Sequence, residues 1–195
     1  MKFSKGDIIS YAAIIVIVVS MASIGMQFTG YDTISSKTAI VNVTIETSAA
    51  INFTIALVEF GEGSVTAEES GATLETGEAA VNGDWAGTIS ALSLENIGNV
   101  NITLNLSADV AAAAYLGGSS PLFQYKVTDA DANSCGGVAG TYIDFATTPG
   151  ALVCSPLDWN DTRDEINIDI KLFIPVDAAV GTKTATITAS GTYIP

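Results

Sequence analysis

A chain of 195 residues with 21 acidic and seven basic side chains carries a formal net charge of -14, and it contains no histidine. A phosphate backbone would be repelled, so a nucleic-acid partner is excluded. Without imidazole, Ser-His-Asp and Cys-His catalysis and His-ligated zinc are excluded too.

Lys2 and Lys5 open the chain, and from Ile8 to Phe28 there is not one charged side chain. A helix of roughly 20 residues at 1.5 Å each crosses a bilayer's hydrocarbon core, so this run has the length to span one. The positive-inside rule keeps the lysines in the cytoplasm and exports the C-terminal remainder of the chain. Three readings compete: a cleaved secretory signal, with only a weak site at Ala22-Ser23; a permanent anchor; and a processed helix that ends in an assembly.

The third reading rests on Lys5-Gly6-Asp7-Ile8, directly before the apolar run. This tetrad resembles the prepilin processing signal of archaeal type IV pilins and archaellins. The resemblance implies a leader-peptidase cut between Gly6 and Asp7, and a mature helix that passes from the membrane into the core of a filament. A helix apolar on every side must be buried on every side, in lipid or among copies of itself. Ala12, Ala13, Ser20, Ala22, Ser23, Gly25 and Gly30 are small enough to permit close helix approach.

The organisation expected is therefore a basic leader over 1–6, a hydrophobic helix over 7–30, a connector over 31–38 and an exported domain over 39–195. From Ala39 the hydrophobic period switches to two. Ala39, Val41, Val43 and Ile45 alternate with Ile40, Asn42, Thr44 and Glu46, predicting a strand over Ala39–Thr47. Ile51, Phe53, Ile55 and Leu57 repeat the pattern, as do Val100 to Leu106, Phe123 to Val127 and Ile166 to Ile174. A last strand is expected from Lys183 to Tyr193, and a short Ala-rich helix over Asp109–Leu116. Gly-rich turns separate the segments, among them Gly61-Glu62-Gly63, Asn82-Gly83-Asp84 and Gly98-Asn99. Around eight strands so spaced predict an antiparallel β-sandwich, Ig-like or jelly-roll-like, making the chain mainly β. Leu94 to Thr103 and Ile174 to Thr184 resemble stretches of extracellular β-sandwich domains of archaeal and bacterial surface proteins, the first a strand, a Gly-Asn turn and the next strand, the second a Pro-Gly corner into the final strand.

Cys135 and Cys154 match no zinc or redox spacing and are expected to form one disulfide outside the cytosol. Asn-X-Ser/Thr occurs at Asn42, Asn52, Asn101, Asn105 and Asn160, the first four on the polar phase of their strands, so each is a glycosylation candidate. Asp129, Asp131 and Asn133 space their oxygens like the start of a calcium loop, although Ser134 stands where such a loop needs glycine. Asp158, Asp161, Asp164 and Glu165 form a second acidic group. Trp85 and Trp159 read as packing residues at loop edges. No cofactor is expected, calcium being the one ion these carboxylates suit.

The expected role is structural: a subunit of the cell exterior, associating with itself into a homopolymer and touching the membrane through its helix. No small-molecule substrate, nucleic acid or enzymatic activity is expected. A type IV pilin-like filament subunit is the sharpest version. A membrane-anchored envelope or surface-layer protein, or a β-sandwich adhesin, is the alternative. In a further variant the Ala39–Thr47 strand fills a neighbour's sheet edge.

Overall fold

The computed structural model describes residues 39–86, 89–137 and 140–195. The leader residues Lys5, Gly6 and Asp7, the apolar run and the connector lie outside the described residues. Among the described residues no helix is long and apolar enough to cross a membrane. The chain divides into two compact units, Met1–Thr44 and Ile45–Pro195.

The second unit is mainly β, as the alternation predicted. Its strands are β1 (Asn52–Ile55), β2 (Gly71–Glu75), β3 (Leu92–Glu95), β4 (Ile102–Ala108), β5 (Leu122–Asp129), β6 (Ile143–Asp144), β7 (Ala151–Leu157), β8 (Glu165–Pro175) and β9 (Ile187–Tyr193). One turn of helix, α1 (Ala112–Tyr115), lies inside the stretch expected to be helical. All ladders between these strands are antiparallel and build two sheets. The larger has the order β1-β3-β8-β5-β6, and the smaller the order β7-β4-β9.

β8 organises the larger sheet because it is long. Its Ile166–Phe173 stretch pairs with β5. Its other flank takes β3 at Glu165–Ile168 and then β2 at Lys171–Pro175. The gap between these two partners is closed by Thr76. Its hydroxyl accepts from the Ile170 amide and donates to Asp169, each at 3.0 Å, and its own amide bonds the Ile170 carbonyl. A buried backbone group left open there would cost the unit as much as a lost hydrogen bond.

The core follows from the period-two pattern. Ile166, Ile168, Ile170 and Leu172 of β8, Phe123, Tyr125 and Val127 of β5, and Ile102, Leu104 and Leu106 of β4 all point inward and join one buried cluster spanning both sheets. Tyr115, Phe123, Phe145 and Tyr125 make a chain of tilted ring contacts, with centroids 4.4–4.9 Å apart. Trp85 packs half-buried against this core, while Trp159 is exposed.

Two expectations are corrected. Residues 39–47 form no strand: Val41, Val43 and Ile45 are each more than 80 % exposed, as is Ile40 before them. The alternation there is real, but a lone strand has no partner for its backbone groups. The second concerns β1, which ends at Ile55 after an irregularity between Phe53 and Ile55. Phe53 packs on the core, yet Ile55 and Leu57 are exposed. The alternation predicted through Leu57 therefore stops at the irregularity, which turns the later side chains off the core face.

The Leu94–Thr103 stretch is the strand, turn and strand that its resemblance implies, but its strands do not pair with each other. β3 lies in the larger sheet and β4 in the smaller, so Asn96–Asn101 is a crossover between sheets. Asn96 holds it. Fully buried, its amide nitrogen donates to the Val100 carbonyl at 3.0 Å and the Asp158 carbonyl at 2.9 Å, and its oxygen accepts from Gly98 at 3.1 Å. Ile174–Thr184 likewise carries the chain from β8 into β9 of the other sheet. Asp177 fixes that corner by accepting from the Ser119 amide at 2.8 Å and hydroxyl at 2.6 Å.

Candidate functional site

Among the described residues, a close group of carboxylates sits where β3 ends and β8 begins. Glu95 closes β3, and Asp161 and Asp164 lie in the turn that leads into β8. One carboxylate oxygen of each falls within 4.8 Å of the others. Asp164 is buried, Glu95 half-buried and Asp161 exposed. Antiparallel pairing of Glu95 with Glu165 brings the two segments side by side, and the Asn96 amide donates to the Asp164 carbonyl.

The electrostatics of this group are unfavourable on their own. Burial pushes the Glu95 carboxyl above its ordinary range, and the facing charges of Asp164, Glu165, Asp161 and Asp131 push it further. Asp164 is raised by burial first, against its own backbone amide, and then by Asp131, Asp161 and Glu165. Glu165 goes the other way because hydroxyls of Ser93, at 2.6 Å, and Thr54, at 2.7 Å, donate to its carboxylate. The neighbouring Arg163 is engaged with Asp158 at 2.7 Å. Glu95, Asp161 and Asp164 are thus the residues that could hold a hard cation, since carboxylate oxygens are what such ions take.

The calcium-like triplet is rearranged in space. Asp129 is occupied as a turn former: its Oδ1 accepts from the Ser134 hydroxyl at 3.1 Å and the Cys135 amide at 3.0 Å. Asn133 is exposed with a left-handed φ of 62°. The Asp131 charge adds to the upward push on the Glu95 and Asp164 carboxyls. The two acidic groups, apart in sequence, therefore share one electrostatic neighbourhood.

Cys135 and Cys154 are joined in a disulfide, with both residues buried. A loop of this size adds about 3 kcal/mol in the chain-entropy account. Of the sequons, Asn42, Asn52 and Asn160 are exposed, whereas Asn101 and Asn105 are half-buried. The Asn101 oxygen is enclosed with no hydrogen-bond partner among the described residues. Asn160 already has its oxygen engaged by Thr162, whose hydroxyl donates at 2.9 Å.

A second polar group covers the outer face of the larger sheet. The Tyr142 hydroxyl donates to Glu75 at 2.6 Å, and the Lys126 and Lys171 ammoniums lie 4.8 and 4.9 Å from its ring centroid. Lys126 pairs with Asp169 at 3.4 Å and Lys171 with Glu75 at 3.3 Å. Burial, then the bond to Glu75, raises the Tyr142 hydroxyl far above the usual phenol range. These charges neutralise one another, so the group braces the sheet. Beside it, a pocket lined by Phe60, Leu74, Glu75, Ala80 and Trp85 has about 10 Å³, room for a single water.

Sequence reasoning singled out neither Glu95 nor Asn96. Glu95 ends a short strand whose pairing with β8 alone brings it to Asp164. Asn96 sits in an ordinary-looking turn, and only the distant Asp158 carbonyl reveals its role. Compared with known protein families, curated proteins and solved structures, the chain matches none.

Proposed function

We propose that this chain is a structural subunit of the cell exterior, a type IV pilin-like filament subunit of an archaeon. Its helix over 7–30 forms the filament core, and its β domain forms the outer shell. The observation that carries the reading is the juxtaposition of Lys5-Gly6-Asp7 with an uncharged run from Ile8 to Phe28, followed by an acidic β unit closed by a disulfide. Such a run must be buried on every side. The acidic shell keeps the exported part soluble, and the exposed Asn42, Asn52 and Asn160 present acceptors for glycans.

Mass spectrometry of the protein's N-terminus, taken from source cells, tests it. A mature end at Asp7, with filaments in electron micrographs, is the expected result. An intact end at Met1 or Lys2 overturns the pilin version. The anchored envelope protein then takes its place, because retained Lys2 and Lys5 favour a permanent span with its N-terminus inside.

A further inference from the structure

Both sheets are built from residues 52–193, and their edges are not alike. β6 is two residues long, and β1 is four residues with an irregularity in its ladder. The outer side of β2 is bridged by Val81, and β7 is bridged by Cys135 at Leu157. These are the short, interrupted or covered edges with which sheets avoid unwanted pairing. β9 has none of those guards. Its seven residues, Ile187–Tyr193, include no charge and no proline.

The direction of β9's free backbone groups can be read from the ends of its ladder. The Asp109 amide bonds the Thr186 carbonyl, and the Ile194 amide bonds the Asn101 carbonyl. Even-numbered residues therefore turn their N–H and C=O toward β4. In an antiparallel ladder the alternate residues, Ile187, Ala189, Gly191 and Tyr193, direct theirs away. Among the described residues nothing accepts or donates to them. On the inner face of this edge, a Cβ at Gly191 would stand 2.9 Å from Ile102 and 3.4 Å from Ile51, so that face is continuous with the core.

The chain also carries a strand pattern without a sheet. Ala39–Ile45 is seven residues long, uncharged and alternating, with Val41 and Val43 90 % and 81 % exposed. Its exit is held. Asn99 donates from its amide nitrogen to the Glu46 carbonyl at 2.9 Å, and its side-chain oxygen accepts from the Ser48 amide at 2.7 Å. An apolar alternating stretch left in solvent marks an interaction site.

We propose that Ala39–Ile45 of one chain adds to the free edge of β9 in a second copy, as the fourth strand of its smaller sheet. This rests on the reading of the chain as a self-assembling surface subunit. The lengths match residue for residue. Val41, Val43 and Ile45 take the inner face, extending the row of Ile187 and Ala189 over the core. Ile40, Asn42 and Thr44 take the outer face beside Thr188, Ser190 and Thr192. The Asn42 acceptor then remains in solvent on the assembled surface.

Oxidative cross-linking of the full chain in its native membranes or filaments tests this. Cys135 and Cys154 are already paired, so added thiols report alone. One population carries Thr44→Cys, and a co-expressed one carries Thr188→Cys, Ser190→Cys or Thr192→Cys. Residues directly opposite on one face are close enough for a disulfide, so one of the three pairings is expected to give a dimer at twice the 20.0 kDa chain mass. Val43→Lys is expected to abolish that dimer while leaving the melting curve of the β unit in place. No dimer from any pairing overturns the proposal. So does cross-linking only when both cysteines sit in one chain. Filaments that persist without the cross-link sink strand addition and leave the filament reading standing. A cross-link on membranes whose protein retains Lys2 does the reverse.

Discussion

At the scale of the residue, carboxylates and one buried amide govern how this fold responds to solution conditions. Glu95 and Asp164 have carboxyls raised by burial and by each other's neighbours. Their folded pKa values lie above the unfolded ones, so the folded state binds their protons more readily. At neutral pH both oppose folding, and this opposition is relieved as pH falls through the raised values toward the ordinary carboxylate range. Glu165, Asp84 and Asp177 are lowered by donors from Ser93, Ser64 and Ser119 respectively. Their contribution is present at neutral pH and is lost as pH drops below that range. Asp164→Asn is therefore expected to raise the Tm at pH 7 in EDTA and to flatten the gain seen between pH 7 and 5. Calorimetry across pH checks it, and a Tm profile parallel to the parent's would contradict it. Asn96→Ala strands the Val100 and Asp158 carbonyls and the Gly98 amide, at a cost of about 1–3 kcal/mol in urea unfolding.

At the scale of the element, strands were legible where alternation ran long and only one face was buried. β4, β5 and β8 show it cleanly, with buried and half-buried residues alternating along each. β3 shows no alternation because Leu92, Ser93 and Leu94 are all buried, Ser93 reaching Glu165 behind the sheet, and only the resemblance of Leu94–Thr103 to a strand, turn and strand pointed to it. β7 was missed because Val153 and Cys154 are buried side by side, its ladder to β4 shifts register, and Pro156 lies within it. β2 opens on Gly71 and is recognisable only by its pairing with the end of β8. The crossover after β3 gives a further expectation. A Cβ at Gly98 would overlap the Ser48 carbonyl. Gly98→Ala is expected to destabilise the β unit by about 1–3 kcal/mol. It should also open the Glu46–Ser48 backbone to protease, which limited proteolysis reads directly; an unchanged cleavage pattern would contradict the clamp.

At the scale of the whole molecule, a two-sheet unit with one shared core distributes its stability unevenly. Leu104 is fully buried between the sheets on the central strand of the smaller one. Leu104→Ala should cost about 2–5 kcal/mol, the range for a buried leucine, in chemical denaturation. The disulfide ties the turn after β5 to β7. Paired Cys135→Ser and Cys154→Ser changes are expected to lower unfolding free energy by about 3 kcal/mol. Among the described residues the free β9 edge is where the sheets of this unit are least guarded.

Charge and periodicity along the chain were enough to establish that it is mainly β after residue 39, that its face is acidic, and which side chains fill most of the core. Those properties are local: charge is additive, and a period of two needs only neighbours along the chain. Folding in three dimensions decided which strands share a sheet, and so that Glu95 meets Asp161 and Asp164. It also decided that Asn96 is a staple, that Ala39–Ile45 carries the signature of a strand without being one, and that β9 keeps an open edge. Each of these depends on pairing across tens of residues. A strand is defined by its partner's backbone, and no periodicity along one segment says which partner, or whether there is one.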